Sequence, residues 1–499
     1  MTSSPFPILI VVVPLISAFF IPIIGWWKRN LCYPLVILSL FFCTLFSILT
    51  LNAVIQNGTI HYYLGGWHPP WGIEYVVDHL NAFVLAIISF TSFFVAIYSK
   101  KSVEQELPDK IVFFYAVYLL LVTGLLGIIA TGDMFNLYVF LEIASLAAYA
   151  LIAIGEDGAP LASFRYVIMG TIGACFYLLG VGYLYIVTGS LNMADLSELL
   201  PKLYHSKVVL VAFTFFMVGI ALKMALFPLH TWLLDAYTYA PSTVSALIAP
   251  TMTKVGAYVM IRVMFTVFKP DFSISLFPIT SILGWLAVAA ILFGSIMALA
   301  QSDLKRMLCF VIVAEIGYIA IGVGIANRMA LIGAILHIVN DVFMMACLFL
   351  VVGAIVYKTG TRNIYQLRYL HRKLPLTMAI FVIGALSVVG IPPLCGFFSK
   401  WYLILGAFEA GKWVFVAVLL VSSLLNAILF FRVIENIYLE PREPSYAHDG
   451  GGPEAISIDE APLSMLIPMV VIGAGIILLG VFSGKIIDVV IQHTIPPTI

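Results

Sequence analysis

Charge is what this chain lacks most: Asp, Glu, Lys and Arg together make up 10% of its 499 residues, against about 25% in an ordinary soluble domain. With 62% hydrophobic residues and a mean hydropathy of +1.09, the apolar surface is more than a soluble fold can bury. Formal net charge is zero and no basic block occurs, which argues against nucleic acid as a partner. Cysteine is sparse too. Cys32, Cys43, Cys175, Cys309, Cys347 and Cys395 stand singly in apolar segments without C-x-x-C spacing, so they read as packing residues rather than iron–sulfur or zinc ligands. The opening MTSSPFP has no basic stretch before its apolar run and no small-residue cleavage site, so the first apolar segment is expected to persist in the mature protein.

What the chain has in abundance is apolar runs of membrane-spanning length, about 20 residues each. They fall near 5–27, 31–54, 77–99, 111–130, 133–154, 162–188, 207–229, 242–268, 277–300, 306–326, 329–356, 378–407, 412–438 and 462–482, which is 14 spans. The expected fold is therefore an all-α polytopic membrane protein. The longest loops, near 55–76, 357–377 and 440–461 (the last with the turn-rich HDGGGP), are too short for a catalytic domain, so any chemistry occurs within the membrane. GAFEAGKW at 406–413 nearly matches a phosphate-binding loop, but Trp413 replaces the magnesium-binding hydroxyl and no strand precedes it, so it reads as chance.

Basic residues collect on the cytoplasmic side of a membrane protein. Lys28, Arg29, Lys100, Lys101, Lys110, Arg165, Lys305, Arg306, Lys358, Arg362, Arg368, Arg372, Lys373, Arg432 and Arg442 lie at one set of loops and helix ends, 15 of the 25 basic residues. The opposite face holds seven: Lys202, Lys207, Arg262, Lys269, Arg328, Lys412 and Lys485. With an even number of spans, both termini are expected outside the cytoplasm.

Three lysines remain, Lys223, Lys254 and Lys400, each inside an apolar span, and three helical acids join them: Glu142, Glu315 and Asp341. A lysine at the bilayer centre costs about 2.5–3.5 kcal/mol on insertion scales, so such residues are functional by default. The bland alternative for each is a satisfied interhelical contact or a snorkelling side chain near a helix end. His230 and His337 add groups that can pass protons at neutral pH, His337 being the better relay candidate; a lone histidine on an apolar face is as often a core residue.

Proline sharpens the case. Lys223 lies five residues before Pro228, Lys254 four after Pro250, and Lys400 eight and seven after Pro392 and Pro393. Proline frees a backbone carbonyl, and discontinuous helices in corresponding positions of two repeats mark transporters, although proline alone can also produce an ordinary kink. GIALKMALFPLH in span 7 and VVGIPPLCGFFSKW in span 12 both join glycine, proline and lysine, five spans apart, as repeats of spans 4–8 and 9–13 require. The division expected is 1–110 for the first three spans, 111–268 and 277–438 for the repeats, and 439–499 for a cytoplasmic loop and the last span.

Four segments, GDMFNLYVFLEI (132–143), ALKMALFPLHTWLLDAYTYAPSTVSALIAPTMTKVGAY (221–258), DLKRMLCFVIVAEIGY (303–318) and IPPLCGFFSKWYL (391–403), resemble the antiporter-like subunits shared by respiratory complex I, Mrp-type sodium/proton antiporters and membrane-bound hydrogenases. The likeness covers nearly the whole chain, and GDMFNLYVFLEI is most similar to the Mrp D subunit. It implies 14 helices, two inverted five-helix repeats and broken helices 7 and 12. By the same resemblance Glu142 is the acid paired with Lys223, Lys254 the connecting lysine and Lys400 the terminal one; His230 and His337 also fall at matching places. Desolvation disfavours a charged lysine and a nearby carboxylate favours it, so moving Glu142 relative to Lys223 switches that lysine between holding and releasing a proton.

Two departures stand out. The family's N-H-A-L-F-K-A-L-L-F pattern reads NDVFMMACLF here, with Asp341 for histidine and Met345 for lysine, and Glu315 stands where relatives carry a neutral residue or histidine. A changed proton path and a sodium-binding spot are both open. The resemblance also leaves open a gradient-driven cation/proton antiporter subunit and the pumping subunit of a redox-driven complex; a passive scaffold or a stand-alone solute transporter fits the buried charges less well. No cofactor, metal or catalytic centre is expected in the chain itself. The partners expected are other membrane subunits, lipid and protons, with sodium as the open second cation.

Overall fold

A backbone in hydrocarbon must satisfy its own hydrogen bonds, so apolar runs of this length fold as helices. The computed structural model describes residues 5–155, 157–439, 458–497 and 499; HDGGGP lies outside the described residues. The chain opens with α1 (Phe6–Trp27) and α2 (Cys32–Asn57). A hairpin of β1 (Ile60–Tyr63) and β2 (Glu74–Val77), antiparallel with Ile60 opposite Val77, then leads to α3 (His79–Glu106). A capping box starts α3: the Asp78 carboxylate accepts from the N–H groups of Leu80 and Asn81, and the Asn81 side chain accepts from the Asp78 N–H.

The first repeat comprises α4 (Ile111–Ala130), α5 (Met134–Ala153), α6 (Ala159–Thr188), the short α7 (Met193–Leu199), α8 (Lys207–Lys223), α9 (Thr231–Tyr239) and α10 (Ser242–Arg262). The second comprises α11 (Ile279–Leu299), α12 (Leu304–Ile325), α13 (Arg328–Thr359), the four-residue α14 (Leu370–Lys373), α15 (Pro375–Val389), α16 (Cys395–Glu409) and α17 (Trp413–Tyr438). α18 (Leu463–Val481) and α19 (Ser483–Val489) follow. Among the described residues, 12 helices are long and apolar enough to cross a membrane. The two other predicted spans are each split, α8 with α9 and α15 with α16, at the proline segments expected to break them.

The repeats share a local device. At the start of α5, Asp133 bridges to Asn192, with the Met134 N–H donating to the Leu191 carbonyl at 2.9 Å; at the start of α12, Asp303 bridges to Asn363, with the Leu304 N–H donating to the Arg362 carbonyl at 2.9 Å. In both, a left-handed glycine, Gly189 or Gly360, closes the preceding helix, and the asparagine caps the next helical turn. α5 and α12 are the fifth and tenth spans, so the two devices begin helices running in opposite directions, as inverted repeats demand.

Apolar residues on every side of a helix predict burial, and α12 and α13 are buried throughout, whereas only 28% of the apolar stretch of α1 is buried. α11 and α12 meet where Gly284 and Gly324 let their backbones approach closely; a Cβ on Gly324 would fall 2.6 Å from the Gly284 nitrogen.

Two basic residues depart from the expected positions at loops. Arg262, at the end of α10, turns inward because Asp78 offers a bidentate partner: its Nη1 and Nη2 lie 2.6 and 2.9 Å from the two carboxylate oxygens. Lys305, in the first turn of α12, is 5% exposed and donates to the Ala240 carbonyl, one of the groups left without a helical partner beyond the end of α9. Burial pushes the Asp78 carboxyl up, but the Arg262 guanidinium and the two cap N–H groups outweigh it and hold the group below its usual range. A lowered folded-state value means the contribution is present above about pH 4 and is lost as pH falls through the folded value. Asp78→Asn is therefore expected to cost about 2–3 kcal/mol at neutral pH. The difference from wild type in thermal unfolding should shrink in acid; a pH-independent difference would contradict the ion-pair account.

Candidate functional site

The break after α8 puts a lysine at a helix C-terminus in mid-membrane, where a cation complements the exposed carbonyls. Lys223 is the last residue of α8, and the following segment turns through Ala225 at φ 58° before α9. Its Nζ donates to Ser145 Oγ on α5 at 2.7 Å and lies 3.5 Å from Glu142 Oε1, one turn away on the same helix as Ser145. The contact is loose, and Glu142 is partly exposed whereas Lys223 is buried. A cavity of about 30 Å³ adjoins Lys223, bounded by Ser145, Tyr166, Tyr177 and, across it on α10, Val255 and Gly256. That volume has room for one or two waters beside the Lys223 ammonium and the Ser145 hydroxyl.

Lys254 immediately precedes Val255 and Gly256 on α10, and it is fully buried. Its Nζ is 2.8 Å from Asp341 Oδ2 on α13, also fully buried, and donates to the Ala249 carbonyl at 3.0 Å. Residues four apart on a helix share a face, which puts His337 beside Asp341. His337 Nε2 is 2.8 Å from Glu315 Oε2 on α12, and its Nδ1 is 2.9 Å from Ser399 Oγ on α16. Lys400, next to Ser399, donates to the Val388 carbonyl at the end of α15 at 2.6 Å and sits 4.5 Å from the centre of the Tyr318 ring. Gly390, at φ 93°, lets the chain turn there, and a Cβ on it would meet the Lys400 side chain at 3.3 Å.

Among the candidates, the structure thus brings together two groups, Glu142 with Lys223 across α5 and α8, and Lys254, Asp341, His337, Glu315 and Lys400 across α10, α13, α12 and α16, with Val255 and Gly256, next to Lys254, walling the cavity beside Lys223. His230 stands apart: it is packed on Phe227 and Phe293, and among the described residues its Nδ1 has no hydrogen-bond partner.

Two larger cavities lie at opposite ends of α3, α10 and α13. One, of about 450 Å³, is lined by Glu106, Ser242, Lys305, Val356 and Arg362; the other, of about 410 Å³, by Asp78, Arg262, Asp271, Ile335 and His493. Ile335 lies six residues from Asp341, roughly 9 Å along the helix.

The family described as NADH:quinone oxidoreductase/Mrp antiporter, transmembrane, matches residues 131–426. The chain belongs to this family. The N subunit of the NADH-quinone oxidoreductase of Desulforudis audaxviator is 47% identical, covering 99% of both chains. The D subunit of the Na(+)/H(+) antiporter of Alkalihalophilus pseudofirmus is 35% identical over 78% of each. Of solved structures, a chain of the membrane-bound sulfane sulfur reductase, an archaeal respiratory membrane complex, superposes with a TM-score of 0.89 at 31% identity, covering 98% of this chain and 97% of that one. The chain is a multi-span membrane protein similar to subunits of multisubunit membrane complexes.

Asp341 has an ion-pair partner in Lys254, and Glu315 lies 2.8 Å from His337, so the departures from the family pattern have partners on neighbouring helices rather than standing isolated. Sequence reading missed Lys305 and the Asp78–Arg262 pair, because both cations lie at helix ends and were counted with the loops. Arg262 lies eight residues beyond Lys254, on the same side of α10, which is the signal that could have found it.

Removing one partner of a buried pair leaves an uncompensated charge, whereas replacing both by apolar groups is often neutral. Asp341→Asn and Lys254→Met are each expected to cost about 3–5 kcal/mol, and Lys254→Met/Asp341→Leu to recover most of it. Thermal unfolding of the four proteins in detergent checks this; additive losses would contradict the pairing.

Proposed function

We propose that the chain is a proton-translocating, antiporter-like membrane subunit of a multisubunit ion-translocating complex. The observation that supports this reading is the fully buried Lys254–Asp341 pair between the Glu142–Lys223 pair at one broken helix and the Glu315–His337 pair beside the other. In this scheme, Lys223 holds a proton while Glu142 is near and releases it when Glu142 withdraws, and the 3.5 Å contact with intermediate exposure of Glu142 suits a pair that opens. The released proton crosses water in the adjoining cavity to Lys254, passes through Asp341, His337 and Glu315, and reaches Lys400. The vestibules at the two ends of α3, α10 and α13 supply aqueous access from the two sides. His230 has no neighbour on this path and is read as a packing residue of the helix 7 break.

The excess of basic residues supports placement in the cell membrane with both termini outside the cytoplasm. We read the chain as 1–110, the repeats 111–268 and 277–438, and 439–499 with the last span. Two energy sources remain. The 47% identity with a component of an NADH-quinone oxidoreductase over nearly all of both chains favours a redox-driven complex, and the likeness to a component of an Na(+)/H(+) antiporter favours coupling to sodium.

The purified native complex in proteoliposomes distinguishes these readings. Lys223→Ala and Glu142→Gln, once shown to assemble, are expected to lower proton movement at least tenfold. Dependence on a sodium gradient selects the antiporter, and dependence on electron donor and acceptor selects the redox enzyme. Unchanged proton movement in both variants would refute the path and revive the passive scaffold.

A further inference from the structure

Away from the buried charges, two cavities adjoin where α1 passes into α2. One, of about 500 Å³, is lined by Arg29, Asn30, Tyr33, Lys100, Glu104 and Tyr115. The other, of about 700 Å³, is walled by Ile24, Trp27, Leu31, Leu35 and Leu38, with Lys28 as its one charged residue. Pro34 lines both, so the polar cavity and the apolar one lie side by side.

The charges around the mouth are unbalanced. Glu104 is held by Lys101 at 2.8 Å, while among the described residues Lys28, Arg29 and Lys100 take part in no ion pair. Lys100 instead lies 5.4 Å from the centre of the Tyr33 ring. Basic residues on a loop need no ligand, but here they line two cavities that share a wall at Pro34, one polar and one apolar. Leu31, Leu35 and Leu38, at i, i+4 and i+7, form one stripe along the apolar cavity. Its depth is marked by Trp26 and Trp27, 90% and 91% exposed, the type of residue that sits at headgroup level. Below them on α1, Phe19, Phe20 and Ile23 are exposed, as on a helix facing hydrocarbon.

We propose that this double cavity binds one anionic phospholipid. Its phosphate lies among Lys28, Arg29 and Lys100, with Asn30 and the Tyr33 hydroxyl as further donors, and one acyl chain follows Leu31, Leu35 and Leu38. A neighbouring subunit's helix would have to bring both acidic groups at headgroup level and an apolar tail beneath them, whereas an anionic lipid has that order of groups by construction.

The test uses the full chain in nanodiscs of phosphatidylcholine with phosphatidylglycerol as the probe, and bound lipid is counted by native mass spectrometry. Wild type is expected to retain one phosphatidylglycerol in preference to phosphatidylcholine. Arg29→Gln/Lys100→Gln is expected to weaken retention about thirtyfold, from the usual contribution of two basic groups near an anionic surface. Leu38→Trp, which fills the apolar cavity without altering charge, is also expected to reduce retention. These positions are exposed or line the cavities, and circular dichroism checks that each variant is folded. No preference in wild type, undiminished retention in the double variant, or indifference to Leu38→Trp would each overturn the proposal. Displacement by millimolar inorganic phosphate would assign the site to a soluble anion and overturn it as well.

Discussion

The contact on which this structure turns is the pairing of Lys254 with Asp341, both fully buried and 2.8 Å apart. Neither charge is tolerable alone in so apolar a setting, because desolvation of an ion costs several kcal/mol before any partner compensates it. The pair spans α10 and α13, helices of different repeats, so electrostatic necessity holds the two halves in register at their junction. The same constraint extends along α13: His337, one turn from Asp341, meets Glu315 of α12 and Ser399 of α16, which joins the second broken helix to the centre.

The broken helices place their lysines by related means. At the first break the lysine belongs to the fragment that ends there; at the second it comes from the following fragment and reaches back to the carbonyl of Val388. At the second break the carbonyl of Val388, released from the helical ladder, supplies the ammonium with solvation that lipid cannot, and at the first Ser145 and Glu142 of α5 do so. In the proposed scheme, these sites at interrupted backbone in hydrocarbon are where a proton rests. The Lys223–Glu142 contact, at 3.5 Å, is looser than the Lys254–Asp341 contact, at 2.8 Å, a difference that suits the switch and the fixed relay of the proposed scheme.

Much of this was legible in the residues. Spans follow directly from apolar length, and the breaks at Pro228 and at Pro392–Pro393 follow from the chemistry of proline. Lys223, Lys254 and Lys400 could be singled out because subtraction of the loop charges left them over. Partnership was harder to read: nothing local tells that Asp341 meets Lys254 or that Glu315 meets His337, since both pairs join distant helices. Arg262 and Lys305 were obscured for a different reason. A charge near the end of a span is normally solvated, and only the Asp78 turn and the open carbonyl of Ala240, brought close by the fold, draw these two inward. The hairpin of β1 and β2 lay within a loop whose alternation was too brief to stand out.

If the pair at the repeat junction conducts protons as well as holding the halves together, removing both of its charges must stop transport without unfolding the chain. Proton translocation by the reconstituted complex carrying Lys254→Met/Asp341→Leu is the decisive measurement, because this variant strands neither charge. An assembled, folded complex that moves no protons through this subunit is the expected result. Translocation at the wild-type rate would mean that the pair is structural and that protons cross elsewhere.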